Sequence, residues 1–280
     1  MTTTIEIPYD PAEIYKSNKL IELTQSAIST FMRCPQRYVF QYLMLIVRRA
    51  PNMNLLVGSA VHKGFEILLA NNDDVPIDER QPAIRQAIDS VFEKVVNENS
   101  LFLGLSEKQL ETGRAQAHAI LEAWFINSID LLMEQWKLVE SEMKIRTAKN
   151  VTALSPLVDR FAGQVDGLIE NNKGELWILE HKTRSRLDTL DEFGLVLDTQ
   201  ALFYIMMVRL KEKKDVKGFL YNAIQKPLHR MNANGFDDLK NRMLDAMVTA
   251  PDKYFSLSEI PIGDTGEAFI NFSRIIGKNG

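Results

Sequence analysis

Residues 163–183 read GQVDGLIENNKGELWILEHKT. Two β-like arms flank a turn, and each arm carries an acid where an apolar residue would be easier to bury: Asp166 and Glu180. With Gly174 in the left-handed position of a three-residue loop, Asn171 pairs with Glu175. Counting outward from that pair sets Asp166 opposite Glu180, with β-carbons about 5 Å apart on one face. Lys182 lies two residues further on, so its side chain shares that face, whereas His181 points to the other. Directly opposed acids repel, and burying either charge alone is costly. A divalent cation between them removes the conflict. Such an ion lowers the pKa of its bound water and offsets charge on a phosphate oxygen, and Lys182 would orient that water or stabilise the developing charge. The same three residues also suit a solvated surface hairpin, and alone they leave both readings open.

Around the hairpin the pattern is mixed. Residues 1–22 carry Pro8 and Pro11 and show no period, as expected of an N-terminal arm. A helix is expected from Ser26 as N-cap, broken or restarted at Pro35 with Cys34 near the new cap. Another covers residues 57–70. Residues 71–136 read as a helical insertion: Ile84, Ile88, Val91, Phe92 and Val95 recur at helical spacing, and Ser106 and Gln109 form a capping box for a further helix. The pattern then changes to strands at KLVESEMKIRTA and the two hairpin arms. A helix over 197–213, a strand at VKGFLYNAIQ and a helix near 235–249 follow, and the tail from Pro251 reads as irregular. This order predicts an α/β fold, a mixed sheet with helices on its faces, in one domain over 1–280.

Composition bounds the function. The 280 residues are 45% hydrophobic and 25% charged, in the range of a soluble globular chain, and nothing resembles a membrane span or a signal peptide, so a cytoplasmic protein is expected. The net charge of −4 argues against broad electrostatic capture of nucleic acid but leaves room for a local basic groove. Cys34 is the only cysteine, so neither an internal disulfide nor a four-cysteine metal cluster can form.

Asp166 followed by Glu180-His181-Lys182 resembles the PD-(D/E)xK nuclease signature, with Val165 in the proline place, as in the RecB-like branch. GSAVHKGFE resembles that branch's upstream Gly-x-x-x-His segment, QALFY its Gln-x-x-x-Tyr motif, and SAISTFMRCPQRYVFQYL its opening helix. The resemblance implies a restriction-endonuclease-like core. It implies Asp166, Glu180 and Lys182 as catalytic residues, and His62 with Asp166 and Glu180 as ligands of Mg²⁺ or Mn²⁺. It also brings Gln200 and Tyr204 to DNA.

Relatives including the CRISPR-adaptation exonucleases hold an iron–sulfur cluster through four cysteines. Here no cluster is expected, and Cys34 reads as a buried remnant. His118 and His229 fit no motif and read as surface or packing residues. Glu140 and Glu142 read as a solvated strand face, with a second metal as the sharper alternative.

The expected activity is a metal-dependent DNA nuclease, an exonuclease of recombination, repair or phage DNA processing. A structure-selective endonuclease and a non-catalytic DNA-binding assembly subunit are the alternatives, and RNA is not excluded as substrate. With no Gly-x-x-x-x-Gly-Lys-Ser/Thr motif, any unwinding falls to a helicase or recombination partner, and a homo-oligomeric ring is a further arrangement in this group. The expected substrate is DNA, single-stranded or with a free end. It would lie in a basic channel containing Arg33, Arg37 and Arg184, with Arg33 and Arg37 on one helical face.

Overall fold

The computed structural model describes residues 21–46, 52–70, 76–99, 105–147, 158–187, 199–213, 215–227 and 235–261. Arg48, Arg49, His229, Arg230 and most of the expected N-terminal arm lie outside them. Among the described residues, six strands form one mixed sheet: β1 (Ile21–Thr24), β2 (Trp136–Arg146), β3 (Val158–Asn171), β4 (Leu176–Arg184), β5 (Val216–Gln225) and β6 (Phe255–Pro261). The helices of the described residues are α1 (Gln25–Arg33), α2 (Pro35–Tyr38), α3 (Met53–Leu68), α4 (Gln81–Asn99), α5 (Glu107–Gln135), α6 (Thr199–Glu212) and α7 (Phe236–Thr249), together with a π-helical turn and short 3₁₀ turns.

The β3–β4 hairpin has the expected register. Gly174 is left-handed at φ +77°, and the Asn171 N–H donates to Glu175 O at 3.0 Å. Gly167 pairs with Leu179, so Asp166 and Glu180 are the next positions outward. The β3–β4 pairing stops there. Beyond it β4 runs parallel to β5 as far as Arg184 and Gln225. The early part of β3 instead takes β1 in parallel, through Ala162, while β2 lines its other edge. Asp166 and Glu180 therefore sit where the two arms part.

Helices cover both faces because both faces of the central strands are apolar: Trp177, Leu179, Leu220 and Ile224 pack with α3, α4, α5 and α7, and Ile178, Phe219, Tyr221 and Ala223 with α6. A capping box of Ser106 and Gln109 starts α5, as the spacing predicts.

Several local expectations are corrected. Thr24, not Ser26, caps α1: its hydroxyl accepts from Ala27 N at 3.2 Å. The chain enters that helix directly from β1, which takes up the last two residues, 21 and 22, of the expected arm. Helix α3 begins at Met53 rather than 57, because Asn52 supplies the cap. Residues 255–261 form a strand where irregular chain was expected, since the free edge of β5 offers a complete ladder from Ile224 to Gly218. Cys34 is exposed rather than buried: it is the extended residue between α1 and α2, with φ −160°, and residues 31–37 around it are all exposed. That break also puts Arg33 and Arg37 on different helices, so their four-residue spacing no longer implies a common face.

Candidate active site

Helix α3 lies against β4, and its close approach is possible because residue 58 is glycine: a β-carbon there would come 3.3 Å from Thr183 Oγ1. One turn further along α3, His62 Nδ1 meets Asp166 Oδ1 at 3.1 Å. The other carboxylate oxygen, Oδ2, accepts the backbone N–H of His181 at 2.7 Å. That N–H is available because β3 and β4 have stopped pairing. Asp166 is thus held by one group from the helix and one from the neighbouring strand.

Glu180 is 4% exposed. Its Oε1 accepts from Lys182 Nζ at 2.7 Å and from Gln200 Nε2 at 2.7 Å, and Lys182 also donates to Gln200 Oε1 at 2.9 Å. Its Oε2 is buried with no hydrogen-bond partner. Burial first, and then repulsion from Asp166, push the Glu180 carboxyl up to about 7, against the pull of Lys182. Burial alone would push Asp166 up and His62 down. Their mutual hydrogen bond and charge reverse both, leaving Asp166 below and His62 above its ordinary value. Burial likewise opposes the charge on Lys182, and Glu180 outweighs it, so the ammonium is held more firmly than in water. Tyr204 is pushed up to about 12, by burial first and by Glu180 second, so it stays a neutral phenol beside Gln200.

His181 faces the other way, as the hairpin register predicts, and stacks flat on Phe65 at 3.9 Å between ring centroids. Behind it runs a buried polar chain that the sequence reading missed. Trp124 Nε1 donates to Asn222 Oδ1 at 3.1 Å, and Asn222 Nδ2 lies 2.7 Å from His181 Nδ1. Indole N–H can only donate, so the amide oxygen must accept it and the amide nitrogen must face the imidazole. His181 Nδ1 is then the acceptor and Nε2 carries the proton. Burial keeps this ring neutral, with its pKa down at about 3. The available signal was Asn222 itself, a lone amide in the middle of the apolar strand FLYNAI.

Of the other expected residues, Arg184 lies near the group but donates to the Tyr221 hydroxyl at 2.7 Å, and Arg33 and Arg37 are exposed on α1 and α2. Glu142, adjacent to Asp166 across β2 and β3, has a left-handed φ of +50° and accepts from Gln164. Burial first, and then Asp166 and Glu66, raise its carboxyl above the ordinary value, against the pull of Gln164. It is therefore no plain solvated strand residue. His118 is a packing residue, 4% exposed with Nε2 2.9 Å from Asp89 Oδ1.

The group offers hard carboxylate oxygens, one imidazole and an unpartnered buried Glu180 oxygen, which suits a divalent ion in chemical kind. Among the described residues, no three His, Cys, Asp or Glu side chains already converge as a finished metal cage. No described helix is long and apolar enough to cross a membrane.

A family model described as "PD-(D/E)XK nuclease superfamily" matches residues 22–260. A solved structure titled "Crystal structure of SSO0001" aligns over 88% of this chain and 84% of its own, with 14% identity and a TM-score of 0.29, too low to bear a structural argument. No curated protein matches.

Proposed function

The chain belongs to the PD-(D/E)XK nuclease superfamily, and from that premise we propose that it is a divalent-metal-dependent deoxyribonuclease, acting as an exonuclease in DNA recombination, repair or phage DNA processing. One observation carries the metal-dependent reading: Glu180 presents a buried, unpartnered Oε2 beside Asp166, while its other oxygen holds Lys182. A lone buried carboxylate oxygen is costly unless a cation meets it.

Asp166, Glu180 and His62 would hold the ion, Mg²⁺ or Mn²⁺. When bound, it supplies an activated water and offsets charge on the phosphate. The chain's own residues do the rest. Asp166 is oriented by the His181 N–H. Lys182, gripped by Glu180 and Gln200, keeps its proton and presents a fixed positive charge to the attacking water and the transition-state oxygens. Gln200 links the catalytic acid to the catalytic lysine and sets the distance between them. In this reading its main role is positioning rather than contact with DNA. Tyr204, a neutral phenol on the same helix face, remains the candidate for a sugar or base contact.

The exonuclease assignment rests on the resemblance of the His62, Gln200 and Tyr204 segments to the RecB-like branch. It is tested with end-labelled linear and covalently closed circular DNA in Mg²⁺, Mn²⁺ or chelator. The proposal expects shortening of linear DNA from its ends, intact circles and no reaction in chelator. Equal attack on circles would make the enzyme an endonuclease, and inert DNA in both metals would remove the nuclease reading.

A further inference from the structure

Helix α3 presents Asn54, Gly58, His62 and Glu66 at four-residue intervals, hence along one stripe. His62 meets Asp166, and Gly58 lies against Thr183. At the start of the stripe, Asn54 Oδ1 accepts from Lys226 Nζ at 2.8 Å. Lys226 is only 7% exposed, and no carboxylate pairs with it among the described residues. A buried ammonium normally has an acid beside it.

Its position makes the absence of an acid more pointed. Asn54 is in the first turn of α3, where backbone N–H groups and the helix dipole already concentrate positive charge. A cation there is held at the wrong end of the helix. Lys226 is fixed in place, since its backbone N–H donates to Arg184 O at 2.8 Å. Lys226 thus stands where the parallel strands β4 and β5 end, the position at which open α/β sheets take up ligands, while the Arg184 side chain turns to Tyr221 on the α6 face of the sheet. Burial weakens the hold of Lys226 on its proton, a cost that an anion would offset.

We infer that Lys226, Asn54 and the first turn of α3 form a phosphate subsite for the nucleic-acid strand that enters the catalytic centre. The inference rests on the nuclease reading and deepens it. Asn54 and His62 are eight residues apart, about 12 Å along the helix, so one strand can touch the subsite and the catalytic group together. The ligand is a backbone phosphodiester, recognised by charge without regard to base.

The test is binding of a fluorescent single-stranded oligonucleotide to the folded Lys182→Ala protein, followed from about 50 to 200 mM salt. Lys226→Gln, which keeps a donor to Asn54 and removes the charge, is expected to weaken binding about 3- to 10-fold and flatten the salt dependence by about one counterion or less. Asn54→Asp gives Lys226 an internal acid and the helix a favourable first-turn charge. It is expected to raise the melting temperature while weakening binding by a similar factor. If Lys226→Gln does not fold, Asn54→Asp carries the test alone. A folded Lys226→Gln with unchanged affinity and salt dependence overturns the subsite, as does an Asn54→Asp protein that is stabilised and binds as before. Either result, beside a wild type that cuts DNA, leaves the nuclease reading standing. A wild type that neither binds nor cuts nucleic acid overturns both.

Discussion

The backbone N–H of His181 donates to Asp166 Oδ2 at 2.7 Å across the gap where β3 and β4 stop pairing. A strand N–H at that position would ordinarily bond the facing strand. Its release to a carboxylate ties the orientation of Asp166 to the position of His181, and so to everything that holds the His181 ring: Phe65 from α3 and Asn222 from β5.

Asn222 should therefore matter beyond its size. It is 1% exposed and serves both Trp124 and His181. Asn222→Ala leaves both buried partners without their bonds, and a loss of about 2–4 kcal/mol in urea unfolding is expected. Metal affinity, measured by calorimetry on the protein that remains folded, should fall as well. A loss under about 0.5 kcal/mol would show that the chain from Trp124 to His181 is not what fixes this strand.

How much of this was legible beforehand depended on range. The hairpin register was readable because one glycine and one turn length set it, and each later residue inherits its face from that count. The pairing of His62 with Asp166 spans 104 residues and has no local signature; only the resemblance placed His62 in the site. Asn222 and Trp124 escaped because a buried hydrogen-bond chain leaves no period in the sequence. Cys34 was misjudged on residue type, since a cysteine is usually buried, whereas its exposure follows from the break between two helices. Strand β6 was missed because its pattern is short and its partner edge, on β5, is a tertiary fact.

Glu180 should be a liability to the metal-free fold. Its carboxyl rises from 4.5 to about 7, so the folded protein retains a proton that the unfolded chain gives up between those values. Stability contributed by this group is lost as pH rises through that window, and the full cost is present above it. At about pH 8 without metal, Glu180→Gln should be more stable than the wild type by about 1–3 kcal/mol. The difference should fade toward about pH 4.5, and saturating Mg²⁺ should reverse the order. Denaturant titrations at both pH values check this. A variant less stable than the wild type in every condition would mean that Glu180 is a structural acid.

Gln200 separates positioning from DNA contact. Its amide joins Lys182 to Glu180, so Gln200→Ala should lower single-turnover cleavage by about 10-fold while oligonucleotide affinity changes less than about 2-fold. Tyr204→Phe, which keeps the ring, should affect cleavage less than Gln200→Ala. An affinity loss matching the rate loss would return Gln200 to the DNA-contact role implied by the resemblance.

The most direct measurement is single-turnover cleavage of end-labelled DNA by Lys182→Ala in Mg²⁺, with the dissociation constant of the same DNA measured alongside. In the proposed mechanism Lys182 acts on the attacking water and the transition state, not on the bound substrate. The expected result is a rate reduced by about 10²-fold or more with affinity nearly unchanged. Cleavage by Lys182→Ala at the wild-type rate would contradict the assignment of the Asp166, Glu180 and Lys182 group as the catalytic centre.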